Sequence, residues 1–273
     1  MYERHIREAV KHAVPDVLSR RLVRRVGGAS KADTARASRI RSSTTIATMQ
    51  YRDGILCVAD RQTSGWGYSI ISQRSIKITP VSSHSALLGS GSVTDIQLAY
   101  QTLQNVNSEF EEDNNDDALS LAGQAHVLSQ CFRYWSQEYG AKFSVGVILA
   151  GFDSINGPTM FSVDDDGCAM RRTEFATAGS GGERIEDQFD ARWEPNLPFE
   201  RALDVAMHGM IHSGMRDSGS SSPIIALPTV VVVRNDGVHT IRERVIERAL
   251  GHALLSKRHV RRSFAHALIG GKK

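Results

Sequence analysis

From Thr45 onward the chain alternates between short apolar runs and turn-rich breaks. "TIATMQY" and "ILCVAD" flank Arg52-Asp53-Gly54. Two β-branched runs around a polar turn predict a hairpin. The turn-rich stretch "TSGWGYS" leads to "SIKITPV" and then "HSALLGSG". Together these four runs predict one antiparallel sheet. The period then lengthens. Val93, Ile96, Tyr100, Leu103 and Phe110 fall mostly three or four apart, which predicts a helix over 92–111. An acidic loop, "EEDNNDD", precedes a second helix. There Ala118, Leu121, Ala125, Leu128, Phe132, Trp135 and Tyr139 make one apolar stripe.

Strands return with "KFSVGVILAGFD", "PTMFSVDDDG", "AMRRTEF" and "ATAGSGG". Phe199, Leu203, Ala206 and Met210 share a face of a helix over 198–215. "PTVVVVRNDGVHTI" reads as two strands around Asn235-Asp236-Gly237, and a basic helix from Arg242 closes the chain. Blocks of antiparallel strands separated by helices predict an α+β protein, with two stacked sheets and helices on their outer faces. No internal repeat and no linker follows residue 43.

The composition is that of a globular protein, 41% hydrophobic and 23% charged over 273 residues. No apolar run reaches the roughly 20 residues of a transmembrane helix, so no membrane partner is expected. Cys57, Cys131 and Cys168 are scattered, without metal spacing or an even disulfide set, which suits a reducing compartment. The net charge of +3 conceals an asymmetry. Residues 1–43 hold 11 Lys and Arg against 4 Asp and Glu, and the rest of the chain 22 against 26. The basicity therefore lies in a leading tail before a mildly acidic body, and this argues against a nucleic-acid partner. The tail lacks the apolar centre of a secretory signal.

Thr44 opens the folded region, and it has two readings. With Thr45 it is a pair of β-branched residues starting a strand. If the chain were cut before it, its freed amine, with an ordinary pKa of about 7.7–8, would sit beside its own hydroxyl as a base. Asp60, ending the first hairpin, and Lys77, in the next strand, read either as a surface pair or as a carboxylate holding a lysine in place. "LLGSGSVTD" is a glycine-rich strand-to-helix turn whose N–H groups could bind an oxyanion. It lacks the ending of a phosphate-binding loop. "TAGSGGER" is a second such turn, and "MRDSGSSS" a polar cluster. His208 and His212 have helical metal spacing, but no glutamate stands between them, and neither metal nor cofactor is expected.

Taken in order, these segments resemble a β-type subunit of the proteasome, from Thr44 to about residue 245. "TTIATMQYRDGILCVAD" is similar to the family's opening hairpin, "SQRSIKI" to its lysine strand and "ALLGSGSVTDIQ" to its oxyanion turn. "LAGFDSINGPTMFSVDDDG" and "TEFATAGSGG" are similar to the central hairpin and its following turn, and "MRDSGSSS" to a supporting segment. The resemblance implies the four-layer αββα sandwich of N-terminal-nucleophile hydrolases. It implies Thr44 as nucleophile, Asp60 and Lys77 as its polarising pair, and the Gly91 amide as oxyanion donor. Ser180, Asp217 and Ser220 would be the supporting network. Residues 1–43 become a propeptide, 44–245 the catalytic domain and 246–273 a basic helical extension. The implied activity is threonine-type hydrolysis of unfolded polypeptides in the cytoplasm, within stacked rings of the same chain. An α-type ring or an unfolding ATPase is a further partner of this reading.

Three positions depart from the family pattern. Ser43 stands where glycine usually precedes the nucleophile, which favours the alternative of a structural ring subunit that keeps its tail. Gln62 stands where many β subunits carry arginine, and the HslV-type peptidase, a bacterial relative, often has glutamine. The Asp60–Lys77 interval is one residue longer than expected, with the extra residue in "TSGWGYS". Gly89 predicts a roomy primary pocket.

Overall fold

Two hairpins that look alike in sequence go to different sheets. The computed structural model describes residues 44–64, 70–114, 118–139, 145–153 and 156–269. For 136–139 and 257–269 the description is of the backbone alone. The first hairpin is β1 (Ile46–Tyr51) and β2 (Gly54–Ala59). A small ribbon of β3 (Thr63–Ser64) and β4 (Ile70–Ser72) follows, then β5 (Ile78–Ser82) and β6 (Ser85–Gly91). Next come α1 (Val93–Asp113), α2 (Leu121–Tyr139), β7 (Val145–Asp153), β8 (Gly157–Val163), β9 (Ala169–Arg172) and β10 (Phe175–Ala178). The chain continues with α3 (Gly182–Asp190), α4 (Phe199–Arg216), β11 (Thr229–Arg234), β12 (Gly237–Thr240) and α5 (Glu243–Ile269).

One sheet runs β10-β1-β2-β11-β12 and the other β5-β6-β7-β8-β9, with antiparallel pairing throughout. The expectation of a single sheet for the first four runs is therefore corrected. The chain leaves the first sheet after β2 and enters the second at β5. Strands buried on both faces carry no polar stripe, so their pattern does not reveal which sheet they join.

Three apolar clusters define four layers. Between the sheets lie Ile46, Ile55, Cys57, Leu88, Ile148 and Val231. Between the second sheet and α1–α2 lie Leu103, Leu128, Phe132, Trp135 and Leu149. Between the first sheet and α3–α5 lie Met49, Leu56, Phe189, Leu203, Met210 and Ile246. Alternation within one strand serves two of these cores. In β2, Ile55, Cys57 and Ala59 face the other sheet, while Leu56 and Val58 face the helices. This is why "ILCVAD" and "TVVVV" read as unbroken apolar runs. The layers are helix, sheet, sheet, helix, the αββα sandwich of N-terminal-nucleophile hydrolases.

The helices begin where capping residues stand. Ser92 Oγ accepts from the Asp95 amide at the start of α1, and Ser120 Oγ from the Gly123 amide at the start of α2. Ala118 is accordingly outside the helix and exposed, which shortens the predicted stripe to Leu121–Trp135 within the described side chains. The apolar pattern gave no stripe for α3, a helix anchored by only two apolar residues, Ile185 and Phe189, although "TAGSGGER" read as a strand-to-helix turn. α5 runs through residue 245 without a break, and Ile246, Leu250 and Ala253 belong to the core beneath α4. Residues 1–43, the Gly65 to Ser69 part of "TSGWGYS", the end of "EEDNNDD" and the side chains of "RHVRRSFAHALIGGKK" lie outside the described residues. No helix among the described residues is long and apolar enough to cross a membrane.

Candidate active site

The seven residues singled out in the sequence stand at the ends of elements that stop at one end of the sandwich. Thr44 lies just before β1, Asp60 just after β2, Lys77 just before β5, and Gly91 ends β6. Ser180 follows β10, Asp217 caps α4, and Ser220 lies in the loop beyond it. Antiparallel pairing explains the convergence. β1 starts where β2 and β10 end, because Ile46 pairs with both Ala59 and Ala178.

Six of the seven share one hydrogen-bond network. Lys77 Nζ donates to Thr44 Oγ1 at 3.0 Å and to Asp60 Oδ1 at 2.7 Å. The pair is nearly out of solvent, with Lys77 and Asp60 side chains 6% and 0% exposed. Burial pulls the Lys77 pKa down from the usual lysine range, and the facing Asp60 and Asp217 carboxylates only partly oppose it. Asp60 is held by three further donors. The Thr45 amide bonds Oδ1 at 2.8 Å, and the Gln62 and Ser221 amides bond Oδ2 at 2.9 and 3.2 Å. A carboxylate with four donors is fixed in place, and it fixes the lysine in turn.

A second branch reaches the other side of Thr44. The Thr44 backbone N–H donates to Ser180 Oγ at 3.1 Å. Ser180 Oγ donates to Asp217 Oδ2 at 2.7 Å, and Ser220 Oγ donates to the same oxygen at 2.6 Å. The hydroxyl of Thr44 thus faces a cation, while its nitrogen faces a chain ending on a carboxylate. Gly91 follows Ser90, which faces Gly179 across from Thr44. A Cβ at Gly179 would lie 3.3 Å from Ser90 Cβ on one side and overlap the Thr44 carbonyl on the other. Gly91 itself has φ +108, at the turn into α1.

Two glycines hold Thr44 in position and a third corrects an expectation. Gly179 has φ +87, where a side chain is strained, and a Cβ there would overlap the Thr44 carbonyl oxygen. Gly179→Ala should cost about 2–4 kcal/mol, from left-handed strain plus the overlap. The thermal midpoint should fall, and Thr44 should be displaced enough to disturb its contact with Lys77. An unchanged midpoint would show that the β10–α3 turn relaxes freely. Gly181 N–H donates to the Thr44 carbonyl at 3.3 Å. At Gly89 the space for a side chain is filled by Ile96 of α1, so this glycine admits the helix instead of opening a roomy pocket.

His208 and His212 do not form one site. His208 Nε2 meets Ser256 Oγ at 3.2 Å beneath α5, whereas His212 Nδ1 lies 3.0 Å from the Arg184 carbonyl near α3. Gln62 is buried, and its Nε2 donates to Ser64 Oγ and the Ser218 carbonyl at 3.1 and 3.3 Å. Its amide side chain thus ties the β3 segment to the loop carrying Ser220.

The family model described as "Proteasome subunit" matches residues 40–227. The chain belongs to the proteasome subunit family. It is similar to a proteasome subunit beta of Methanosphaerula palustris, at 25% identity over 77% of this chain and 95% of the relative. A probable proteasome subunit beta type-1 of Schizosaccharomyces pombe is 25% identical, over 73% of this chain and 83% of its own. Proteasome subunit beta 2 of Nitrosopumilus maritimus is 24% identical, over 75% and 92%. These relatives make the chain a β-type proteasome subunit.

Some residues that shape this proteasome site were not legible. Thr45 and Ser213 are fully buried, and their hydroxyl oxygens are 2.6 Å apart although 168 positions separate them in sequence. The only hints were a second threonine after Thr44 and a serine interrupting the buried face of α4. The Ser221 amide, a donor to Asp60, gave no side-chain signal because the backbone does the work.

Proposed function

We propose that this proteasome subunit is a threonine endopeptidase. Its nucleophile Thr44 is exposed by removal of a propeptide, residues 1–43, and its catalytic domain begins there. The observation that carries this reading is the buried Lys77 ammonium 3.0 Å from Thr44 Oγ1, held by Asp60 at 2.7 Å. A cation beside a hydroxyl lowers the cost of alkoxide character at that oxygen.

The chemistry has two stages. In the precursor, Thr44 Oγ attacks the carbonyl carbon of Ser43, and its proton passes to the Thr44 nitrogen as the peptide bond breaks. The resulting ester is hydrolysed by water, which releases the tail and leaves a free amine on Thr44. In the mature chain this amine takes the Oγ proton while Oγ attacks a substrate carbonyl. The tetrahedral oxyanion is met by the Gly91 N–H. The proton is then delivered to the leaving amine, an acyl ester remains on Thr44 Oγ, and water hydrolyses it. Ser180, Asp217 and Ser220 hold the amine in orientation. No cofactor takes part in these steps.

The substrates in this reading are unfolded polypeptides in the cytoplasm, admitted to a chamber of stacked rings made of copies of this chain. An α-type ring or an unfolding ATPase would control entry. The test is the intact mass and N-terminal sequence of the purified, assembled protein. A mature chain beginning at Thr44 is expected. Assembled rings that retain residues 1–43 would refute the catalytic reading and leave a structural ring subunit, the outcome that Ser43 favours. A new terminus at another bond would move the nucleophile elsewhere.

A further inference from the structure

The geometry points to Thr45 and Ser213 as positioning residues that hold Ser220 on Asp217, the carboxylate that orders the hydrogen bonds leading to the Thr44 nitrogen. This inference rests on the reading of Thr44 as nucleophile and extends it to residues that never touch substrate.

The argument is a count of protons. A hydroxyl has one proton to donate, and an ionised carboxylate has none. Asp217 Oδ2 accepts from both Ser180 and Ser220. Ser220 has then spent its proton, so its contact with Thr45 Oγ1, at 2.7 Å, must be one in which Thr45 donates. Thr45 has then spent its own, so its 2.6 Å contact with Ser213 Oγ must be one in which Ser213 donates. The order is fixed from Ser213 through Thr45 and Ser220 to Asp217. On the other branch, Ser180 donates to Asp217 and can only accept from the Thr44 nitrogen. Ser180 is thereby compelled to take an N–H, and in a free amine the lone pair is left to face elsewhere. A base needs that lone pair available for its own hydroxyl.

Thr45 also bridges the two halves of the site. Its backbone N–H bonds Asp60 Oδ1, while its side chain feeds Ser220 and Asp217. Both carboxylates are thus referenced to the residue next to the nucleophile. Thr45 and Ser213 are both fully buried, where a hydrogen bond is strong and its loss is felt. The room for this chain is provided by Gly181, since a Cβ there would overlap both Thr45 Oγ1 and Ser213 Oγ. A position that excludes any side chain at the crossing of two hydroxyls is a built feature of this end of the sandwich.

The test compares the full chain with Thr45→Val, Thr45→Ser and Ser213→Ala. Valine keeps the branched shape and removes the hydroxyl. Serine restores the hydroxyl alone. Precursor processing is followed by mass, and kcat and KM of the assembled protein are measured on a fluorogenic peptide. Thr45→Val should process slowly and lose about tenfold in kcat with KM within about twofold. Thr45→Ser should recover to within about threefold of wild type, and Ser213→Ala should lose about threefold in kcat. A purely structural role for the hydroxyl predicts no such split between kcat and KM. An active wild type with Thr45→Val at full kcat, or serine no better than valine, overturns the inference alone. If the valine chain does not assemble, Ser213→Ala at wild-type kcat does the same. A wild type that is neither processed nor active refutes the nucleophile itself, and the inference falls with it.

Discussion

A Thr44→Ala chain should be recovered with residues 1–43 still attached and should hydrolyse no peptide above background. The reason is local. Thr44 Oγ1 is the atom facing Lys77 Nζ at 3.0 Å, and alanine removes that atom while leaving the backbone bonds of Thr44 and Thr45 in place. Loss of a nucleophile that acts as one unit with its base should cost at least about 10⁴-fold in kcat/KM. The fold should survive, because a buried hydroxyl and methyl exchanged for two hydrogens costs about 1–2 kcal/mol. Thr44→Ser supplies the control. It keeps the hydroxyl but loses the β-branch that confines χ1, so Oγ spends less time facing the lysine. Serine should process and turn over roughly tenfold more slowly than threonine. Intact mass and a fluorogenic peptide assay check both. Cleavage of the alanine chain at the same bond would mean that a group other than Thr44 Oγ attacks it.

How far the sequence carried depended on which forces were local. The helices were readable because Leu121, Leu128, Phe132 and Trp135 repeat at the helical period, although the apolar stripe starts the second at Ala118, ahead of its Ser120 cap. Sheet membership was not. β2 and β6 are buried on both faces, and burial on both faces erases the alternation that would orient a strand. The site residues were visible chiefly through the order of motifs. Composition alone left Thr44 open between a strand opener and a nucleophile, and Asp60 and Lys77 between a surface pair and a held lysine. Burial is what separates those readings, since an ion pair with side chains 6% and 0% exposed is no surface pair. Thr45 with Ser213 and the backbone donors to Asp60 are tertiary facts, brought together by β1 meeting the end of α4. Gly89 shows the reverse error. A missing side chain suggests space in sequence, and in the fold Ile96 occupies it.

The second large effect is expected at Lys77. Lys77→Ala should leave residues 1–43 attached and lower kcat/KM by at least about 10³-fold, since it removes the charge facing the reacting oxygen. It should also destabilise the fold by about 2–4 kcal/mol, because the buried Asp60 carboxylate loses its counter-ion. The amides of Thr45, Gln62 and Ser221 remain on that carboxylate and keep the cost from rising further. Asp60→Asn separates charge from scaffold. Burial already depresses the Lys77 pKa, and the facing Asp60 is the largest influence raising it again. Removing that carboxylate lets the pKa fall further, so Lys77 loses its proton at a lower pH. If the cation is what favours Thr44 alkoxide character, activity declines as pH rises through the Lys77 pKa. The alkaline limb of kcat/KM should then move to lower pH in Asp60→Asn. Stability should answer differently. Lys77→Ala combined with Asp60→Asn leaves no buried net charge, and should recover part of the thermal midpoint lost in the single variants while regaining no activity. A double variant as active as wild type would make the pair a structural feature. An unshifted alkaline limb in Asp60→Asn would mean that the charge of Lys77 does not govern the reactivity of Thr44.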